Sequence, residues 1–368
     1  HFTREEGCIK LTFYEDGRVD NEWLSFGDDR LVKTYGSTLF QSPYKISRDG
    51  DEIPANAHFL PQKDMQDTPV AAPGEAIPVE PDSVIVVGGP EYASRKVKRW
   101  WMGDLYRSSW TARVKIPYLD LQKSKGGLSP FAVGGGRQTT SLKFRAGDGF
   151  EYVFRSVNKD PIKAMPEELR KTFIVSIIRQ VTATQHPYGA LPVSHLLDQT
   201  DILHARPKFY ILPDQPQLGP FREGYKGLVG MLEDRPTNPG SGRKAFGGSD
   251  DVDRTFTMLK NMYEDNDVVI DRLNFGKARA FDILIGDWGR HEDNWKWAFY
   301  EKEKGGIYRP IPRDRDHAFS KWNGILPFLA DRRWARPNIE NFDARFKDIK
   351  SLTWPARHLD RLLLTELD

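Results

Sequence analysis

Residues 286–294 read GDWGRHEDN, and residues 313–317 read RDRDH. Charged, amide and imidazole side chains are denser in these two stretches than elsewhere in the chain. The apolar run before the first stretch predicts a helix that ends in a polar loop. Residues 295–300 and 306–311 predict a strand pair that carries the chain from this loop to the second, acidic stretch.

The predicted hairpin would bring Asn294 close to Asp314 or Asp316. Carboxylate and amide oxygens that converge from a loop and a strand end are the ligands that a hard cation such as Mg²⁺ or Mn²⁺ requires. We therefore predict a metal site formed by Asn294, Asp314 and Asp316. A salt-bridged surface hairpin is the structural alternative that these residues leave open.

The composition is that of an ordinary globular protein of 368 residues, long enough for two domains or for one large domain with an extension. The net charge of +2 gives no electrostatic footprint for nucleic acid. No apolar run approaches the roughly 20 residues of a spanning helix. We therefore expect neither a nucleic-acid partner nor a membrane span. The single cysteine, Cys8, excludes an internal disulfide and a multi-cysteine metal site.

The chain begins at His1, with neither an initiator methionine nor a signal peptide, which predicts a fragment or a processed product. Residues 7–25 predict a β-hairpin, and residues 41–82 predict a long connection that is partly ordered at best. Apolar patterning predicts further elements, namely helices at 169–184, 255–263 and 271–286 and strands at 83–87, 142–145, 151–157, 209–212 and 227–232. Residues 238–253, rich in Gly, Ser and charge, predict a loop, and the tail from residue 328 has the spacing of further helices.

A basic, aromatic segment covers residues 92–110 and contains Trp100 and Trp101. Such a segment could bind phosphate groups or an anionic surface. The more common structure is an amphipathic helix whose aromatic side chains dock on a neighbouring domain while the cations stay hydrated.

A glycine cluster at residues 131–144 reads FAVGGGRQTTSLKF and precedes a strand. Glycines let backbone amides approach phosphate oxygens, and hydroxyl groups add donors. It is not a Walker loop, because no Gly-Lys-Ser/Thr follows at the required spacing, and a flexible loop is the alternative. The nucleotide-binding candidates of this loop are Gly134, Gly135, Gly136, Gln138 and Thr139.

Three further residues extend this candidate nucleotide site. Arg155 and Lys159 lie on, or just after, the second strand that follows the glycine loop, which is the layout of a nucleotide-binding small lobe. Glu233 directly follows the predicted strand 227–232, where the chain stays extended and backbone groups could form hydrogen bonds with an adenine. An ordinary edge strand explains the exit equally well.

The order of these elements resembles the atypical protein-kinase-like superfamily, nearest to the HipA-like and CotH-like kinases and the secreted Golgi casein kinases. Residues 134–143 look like the HipA glycine loop. Residues 290–294 look like the arginine-histidine-x-x-asparagine part of its catalytic loop. Residues 314–316 are similar to the CotH pattern of Asp-x-Asp before an aromatic segment.

A closer resemblance is to the middle region of large Bacteroidetes outer-membrane proteins, and it is carried by residues 106–107, 155–161 and 311–316. In those proteins a calcineurin-like metallophosphoesterase domain precedes this region and a BamA-like β-barrel follows it. The resemblance covers roughly residues 90–365, and residues 1–30 would be the end of the phosphoesterase.

The fold class that this resemblance implies is α+β, with a bilobal protein-kinase-like domain after a β-rich N-terminal extension. The extension and its linker would cover residues 1–89. The small lobe, with the glycine loop, would cover residues 90–235, and the helical large lobe residues 236–368.

The mechanism that the resemblance implies is phosphoryl transfer, which depends on positioning and charge neutralisation. Asn294 and Asp316 would hold metal ions bridging the phosphates of ATP or another nucleotide, with Asp314 as an alternative or second ligand. A cation of the small lobe, such as Arg155, would steady the phosphates.

Two departures from the family pattern affect catalysis. Gly289 occupies the position where the family has its catalytic aspartate, so Asp287 or Asp293 would have to accept the proton instead. Arg155 occupies the position of a lysine, and the predicted helix 169–184 has no glutamate in its middle to pair with it.

We therefore expect a nucleotide-binding pseudokinase or a diverged phosphotransferase at the bacterial envelope, periplasmic or associated with the outer membrane. A cytoplasmic location is the alternative. The alternative function is a non-catalytic scaffold that links a phosphoesterase to an outer-membrane barrel or to partner proteins. A metal-dependent hydrolase is less favoured, because His291 and His317 are the only histidines near the acidic cluster.

Overall fold

A computed structural model describes residues 82–94, 96–134, 139–159, 175, 180–238, 243–325, 340–346 and 348–365, except for the side chains of 96–98, and describes only strands before residue 82. The strands are β1 (Arg4–Glu5), β2 (Cys8–Phe13), β3 (Val19–Ser25), β4 (Ile46–Arg48), β5 (Asp51–Ile53), β6 (Ile77–Glu80), β7 (Ser83–Val87), β8 (Arg113–Pro117), β9 (Leu128–Gly134), β10 (Ser141–Ala146), β11 (Glu151–Ser156), β12 (Lys208–Ile211), β13 (Val229–Asp234), β14 (Asp251–Arg254), β15 (Val268–Ile270), β16 (Trp295–Glu301) and β17 (Gly306–Pro312). The described helices are α1 (Lys96–Met102), α2 (Arg107–Thr111), α3 (Ala190–Leu197), α4 (Arg222–Tyr225), α5 (Thr255–Glu264), α6 (Arg272–Leu284), α7 (Ile349–Thr353) and α8 (Arg357–Leu363). The α+β class is therefore confirmed.

The chain divides into two compact units, and these do not follow the predicted boundaries after residues 89 and 235. One unit consists of residues 1–70 and 214–226, and the other of residues 71–213 and 227–368. The glycine-loop strands and the acidic stretches both belong to the second unit.

The first unit contains the predicted hairpin, because β2 pairs with β3 in antiparallel orientation and β1 adds to the same sheet. The predicted long connection at residues 41–82 is interrupted by β4 and β5, which pair with each other, and by β6. These strands have three or four residues, too few for a clear alternation of apolar and polar residues to show in the sequence.

A five-stranded antiparallel sheet with the order β12-β13-β11-β10-β9 lies in the second unit. Leu142, Phe144 and Phe154 point to its buried face. Since side chains alternate between the faces of a strand, Ser141 and Lys143 share the other face of β10. The predicted strands at 142–145, 151–157, 209–212 and 227–232 are all confirmed, within three residues at either end.

The second unit also contains a four-stranded sheet with the order β14-β16-β17-β15, in which β15 runs parallel to β17. Trp295 and Trp297 of β16 are buried against Phe275 of α6. The helix α6 begins at an Asp271 cap whose carboxylate accepts a hydrogen bond from the Asn274 amide at 2.9 Å. This core fixes the start of β16, and with it the end of the polar loop.

Several predictions need correction or lie outside the described residues. The loop predicted around residues 238–253 contains β14, whose sequence DVDR has too few apolar residues to show a strand pattern. The prediction of helices in the C-terminal tail is confirmed for α7 and α8. The predicted helix 169–184 lies largely outside the described residues.

Candidate functional site

A cleft of about 930 Å³ opens in the second unit between strands of the five-stranded sheet and the polar loop before β16. The predicted site residues that line it are Gly134, Thr139, Arg155, Lys159, Asp293, Asn294, Asp314 and Asp316. Gly134 and Thr139 come from the glycine-loop segment. The described ends of this segment, the polar loop and the second, acidic stretch therefore meet in one cavity.

The predicted metal ligands are brought together by the β16–β17 hairpin. Its register pairs Trp295 with Pro312, so that the Arg313 amide donates to the Asn294 carbonyl oxygen at 2.9 Å. The side-chain amide of Asn294 donates to the Gly289 carbonyl oxygen. Its Oδ1, the atom that a metal would use, remains for a ligand.

Two cations of the five-stranded sheet, Arg155 on β11 and Lys159 just after it, form ion pairs with nearby acidic residues. The Lys159 ammonium forms an ion pair with Asp316. The Arg155 Nε atom lies 2.6 Å from Glu233 Oε1, and its Nη1 atom lies 3.4 Å from Asp314 Oδ1. The absent helix glutamate therefore has a substitute, since Glu233 on the adjacent strand orients Arg155.

The pKa values of Asp314 and Asp316, two neighbouring carboxyl groups, are shifted in opposite directions. Burial and the charge of Asp314 raise the pKa of Asp316 to about 7, although Lys159 opposes the shift. Burial also acts to raise the pKa of Asp314, but Arg155 and a hydrogen bond with Asp316 lower it well below its usual range. Near neutral pH the pair therefore shares about one proton, which a bound cation would displace.

The donor set fits a cation that also binds phosphate. Among the described residues, no group of three or more His, Cys, Asp or Glu side chains could hold a metal by itself. Mg²⁺ typically uses one or two protein carboxylates and takes its other ligands from substrate phosphates and water. Asp314 Oδ1 is buried and accepts no hydrogen bond from the described residues, and Arg155 Nη1 lies 3.4 Å from it, so a bound metal would compete with Arg155 for this oxygen.

A buried guanidinium holds the backbone of the second acidic stretch. Arg290 is 1% exposed, and its Nη2 atom donates to the carbonyl oxygens of Arg313 at 2.5 Å and of Asp314 at 2.6 Å. Asp314 has a φ of 54°, in the left-handed region that L-residues other than Asn and Asp seldom adopt. The two hydrogen bonds from Arg290 stabilise this conformation.

A second buried ion-pair network extends from the same stretch to helix α6. Arg315 forms an ion pair with Asp282, which is fully buried. Arg279 Nη1 donates to the other oxygen of Asp282 at 2.7 Å, and its Nε donates to Asp360 at 2.6 Å. The loop that carries Asp314 and Asp316 is thus anchored to α6 by largely buried charges, of which Asp282 is fully buried.

The two predicted proton acceptors have different positions. Asp287 does not fit that role, because its carboxylate is buried, lies 3.3 Å from Arg290 Nη2 and accepts the Gly289 amide at 3.0 Å. Burial raises the pKa of Asp287, and Asp282 adds to this shift while Arg290 opposes it. Asp293 is exposed and lines the cleft.

His317 fills the space beside Gly289, where the resemblance would place the catalytic aspartate. A Cβ atom on residue 289 would lie 2.5 Å from Cδ2 of His317, closer than any real contact. The imidazole lies on the Trp288 ring at a centroid distance of 4.0 Å, and Gln185 is 3.0 Å from its Nδ1. A carboxylate at position 289 therefore has no room while the imidazole stays there.

The remaining nucleotide-binding predictions are met in part. Glu233 does not line the main cleft but borders smaller pockets of about 40 Å³. Its side chain is engaged by Arg155, and the prediction that backbone groups at this strand exit bind an adenine stays a prediction. Gly135, Gly136 and Gln138 lie outside the described residues.

Five basic residues that the sequence did not single out line the same cleft, and we call them the cation cluster. They are Lys143, Arg235, Arg254, Lys296 and Arg313. Arg235 forms an ion pair with Glu151. The other four have no carboxylate partner among the residues that the structure describes. The cluster is therefore an area of excess positive charge in the cleft.

Mutual repulsion is visible in the electrostatics of this cluster. Burial lowers the pKa of Lys296 to about 8, with further lowering by Arg313, Arg254 and Arg235 and a small opposing effect of Asp253. No alternation or spacing in the sequence indicated the cluster, because its members come from β10, β14, β16 and two strand exits. Only their convergence makes them a site.

Comparisons with known proteins found no matching family model, no matching curated protein and no matching solved structure. Within the described part of the chain, no helix combines the length and apolar character needed to cross a membrane.

Proposed function

We propose that the cleft binds a nucleotide together with Mg²⁺ or Mn²⁺, and that the chain is a kinase-like pseudokinase or a weak, diverged phosphotransferase at the bacterial envelope. The observation that carries this proposal is the convergence of Asn294, Asp314 and Asp316 with Arg155 and Lys159 around one cleft. Carboxylates for a metal beside cations for phosphates are the arrangement that metal-bound polyphosphate needs.

Each residue has a defined part in this proposal. Asn294 Oδ1 and the carboxylates of Asp314 and Asp316 would hold the metal, which neutralises charge on the phosphates when bound. Arg155 and Lys159 would supply positive charge for the phosphates from the side of the five-stranded sheet. Lys159 is paired with Asp316 in the structure. The shared proton of the two carboxyl groups would leave when the cation binds.

Nucleotide binding is favoured over phosphoryl transfer because neither Asp287 nor Asp293 is well placed to accept a proton from a substrate. Asp287 is buried in an ion pair, and His317 excludes a side chain at Gly289. Asp293 is the predicted acceptor that lines the cleft, and it is exposed to solvent, where a carboxylate is poorly fixed. General-base catalysis typically contributes a factor of about 10² to 10⁴, so transfer would be slow.

The test is isothermal titration calorimetry with ADP and Mg²⁺ on the wild type and on Asp316→Asn. We expect binding by the wild type, at least about tenfold weaker binding by Asp316→Asn because a ligand of the metal is lost, and no binding of the metal complex in excess EDTA. Asp267→Asn is the matched control, since Asp267 is exposed and does not line the cleft. If neither ADP nor ATP binds with Mg²⁺ or Mn²⁺, the proposal is wrong.

A scaffolding role is the second candidate, and an exposed pair of tryptophans favours it. Trp100 and Trp101 in α1 are 63% and 46% exposed, and tryptophan is enriched at the energetic centres of protein interfaces. Recovery of envelope proteins by wild-type protein and by Asp316→Ala, but not by a Trp100→Ser/Trp101→Ser double variant, would support scaffolding. Equal recovery by all three would exclude this surface.

A further inference from the structure

The cation cluster is a strongly charged part of the cleft that nucleotide and metal binding does not explain. Phosphates on a metal held by Asp314 and Asp316 already have Arg155 and Lys159 beside them. The centre of the cluster, formed by Arg254 and Lys296, is a separate group of charges. Arg313 connects the two groups, because its surroundings include Arg155, Asp314 and Arg235.

The fold forces these cations together. Arg254 and Lys296 are direct partners in the antiparallel β14–β16 pair, so their side chains leave the same face of the sheet. Arg313 follows β17 and is hydrogen-bonded through its amide to the residue two before Lys296. Lys143 approaches from the five-stranded sheet, on the face opposite buried Leu142 and Phe144.

This arrangement is unfavourable for the protein without a ligand. Like charges directly opposite each other on neighbouring strands destabilise the sheet. Lys296 and Lys143 are also half-buried, so part of their hydration is lost. Glu151 pairs with Arg235, while Asp253 accepts a hydrogen bond from Tyr308 at 2.6 Å. Other described carboxylates act on the cluster only without an ion pair, as Glu233 and Asp314 do on Arg313. An excess of positive charge remains in this part of the described chain, and an anion would neutralise it.

The character of the surroundings further defines the ligand. A pocket for an uncharged ring is lined mostly by apolar side chains, whereas here cations surround Val153 and the exposed Phe256. Arginine forks match phosphate oxygens bidentately, and lysine adds a compact charge. The first residues of α5, which include Phe256 and Thr257, also line this wall and add the partial positive charge of a helix N-terminus.

We propose that the cation cluster is a second anion-binding subsite, which takes a phosphate or sulfate ester group in addition to any phosphate held through the metal. The ligands of the cleft thus carry anionic groups at two points. This inference rests on the proposed function for the identity of the metal-bound ligand, but not for the binding of an anion by the cluster itself.

Inorganic pyrophosphate in excess EDTA is the probe, since it removes the contribution of the metal. Calorimetry should show binding by the wild type, weakening with added NaCl because the contacts are ionic. The double variant Lys143→Met/Lys296→Met should bind at least about tenfold more weakly, as two charge-assisted contacts are lost. The control Lys302→Met, an exposed lysine outside the cleft, should bind as the wild type does.

Two results would overturn the subsite: no binding by the wild type in EDTA, or a loss in Lys302→Met equal to that in the double variant. If the double variant does not fold, Arg254→Gln on the exposed end of β14 serves in its place. A failure of ADP to bind with Mg²⁺ would refute the proposed function and leave the pyrophosphate result intact.

A competition measurement identifies the source of the anionic group. Pyrophosphate that binds unchanged to protein saturated with ADP and Mg²⁺ indicates a separate phosphorylated substrate. Pyrophosphate that is displaced indicates one ligand whose own phosphates reach both groups of residues. Inorganic sulfate tests whether the subsite takes sulfate esters as well as phosphate esters. If sulfate does not compete with pyrophosphate, the subsite is restricted to phosphate groups.

Discussion

In one part of the cleft, Lys159 lies on Asp316 and Arg155 lies between Glu233 and Asp314. In the other part, Arg254 and Lys296 face each other across a strand pair without a carboxylate to separate them. We call the first part the metal group and keep the name cation cluster for the second. Both line the same cleft.

The difference between them lies in what holds the charges in place. In the metal group each acidic residue has a basic partner, and buried Arg290 and Arg315 fix the backbone beneath. In the cation cluster the strand register alone imposes the proximity of Arg254 and Lys296. Removing one partner of a buried ion pair is costly, so the metal group is tied to the fold, whereas half-buried charges of one sign without an ion pair are costly until an anion binds.

The largest effect is expected from breaking the buried network beneath the metal group. Asp282→Ala removes the buried carboxylate that pairs with both Arg279 and Arg315. Among the acidic residues that the structure describes, Arg279 keeps Asp360 and Arg315 keeps only the more distant Asp287, and we expect the free energy of unfolding to fall by about 3–5 kcal/mol. Urea denaturation of the variant and of the exposed control Asp267→Ala measures this. A loss below about 1 kcal/mol in Asp282→Ala would show that the network does not anchor the loop.

The second prediction concerns the pH dependence of the metal group. The folded chain holds the Asp316 proton up to about pH 7, whereas the ordinary pKa is 3.8. The stability from this proton is therefore complete below the ordinary value and is lost as the pH rises to the folded value. In EDTA, the free energy of unfolding of the wild type relative to Asp316→Asn should fall by about 2–4 kcal/mol over that range. A difference independent of pH would contradict the shared proton.

The smallest effects compare one paired and one unpaired lysine. Lys159→Met leaves Asp316 without its cation, and we expect a loss of about 1–3 kcal/mol in the free energy of unfolding. Lys296→Met removes a charge that faces Arg254, and we expect a gain of about 0.2–1 kcal/mol. Both changes keep an unbranched side chain, and denaturation at low salt measures both. Destabilisation by both to the same extent would remove the distinction between the two groups.

The part of the site formed by neighbouring segments could be predicted from sequence. Asn294 and Arg313 meet because a hairpin returns the chain on itself, and local alternation with turn residues is enough to indicate a hairpin. The pairing of Lys159 with Asp316 joins residues 157 positions apart. Its participants were predicted separately, but the ion pair depends on how the two sheets approach each other.

Two features of the site had no signal in the sequence. His317 was noted there as a histidine near the acidic cluster, but its contact with Gly289 depends on how the second acidic stretch folds back on the polar loop. Asp287 was predicted to reach the cleft because it lies near Gly289 in sequence. It is instead turned into the protein, where Arg290 provides the opposite charge that a buried carboxylate needs.

The sequence by itself determined the strands of the glycine-loop region, the hairpin and the candidate metal ligands, because these follow from periodicity and turn chemistry within about 25 residues. The tertiary structure alone decided which charges neutralise one another and which remain unpaired. Burial and the Coulomb interaction depend on distances in space, and those distances join Lys143, Arg254 and Lys296 across separate strands. The cation cluster is therefore a property of the fold, whereas the acidic stretches are a property of the sequence.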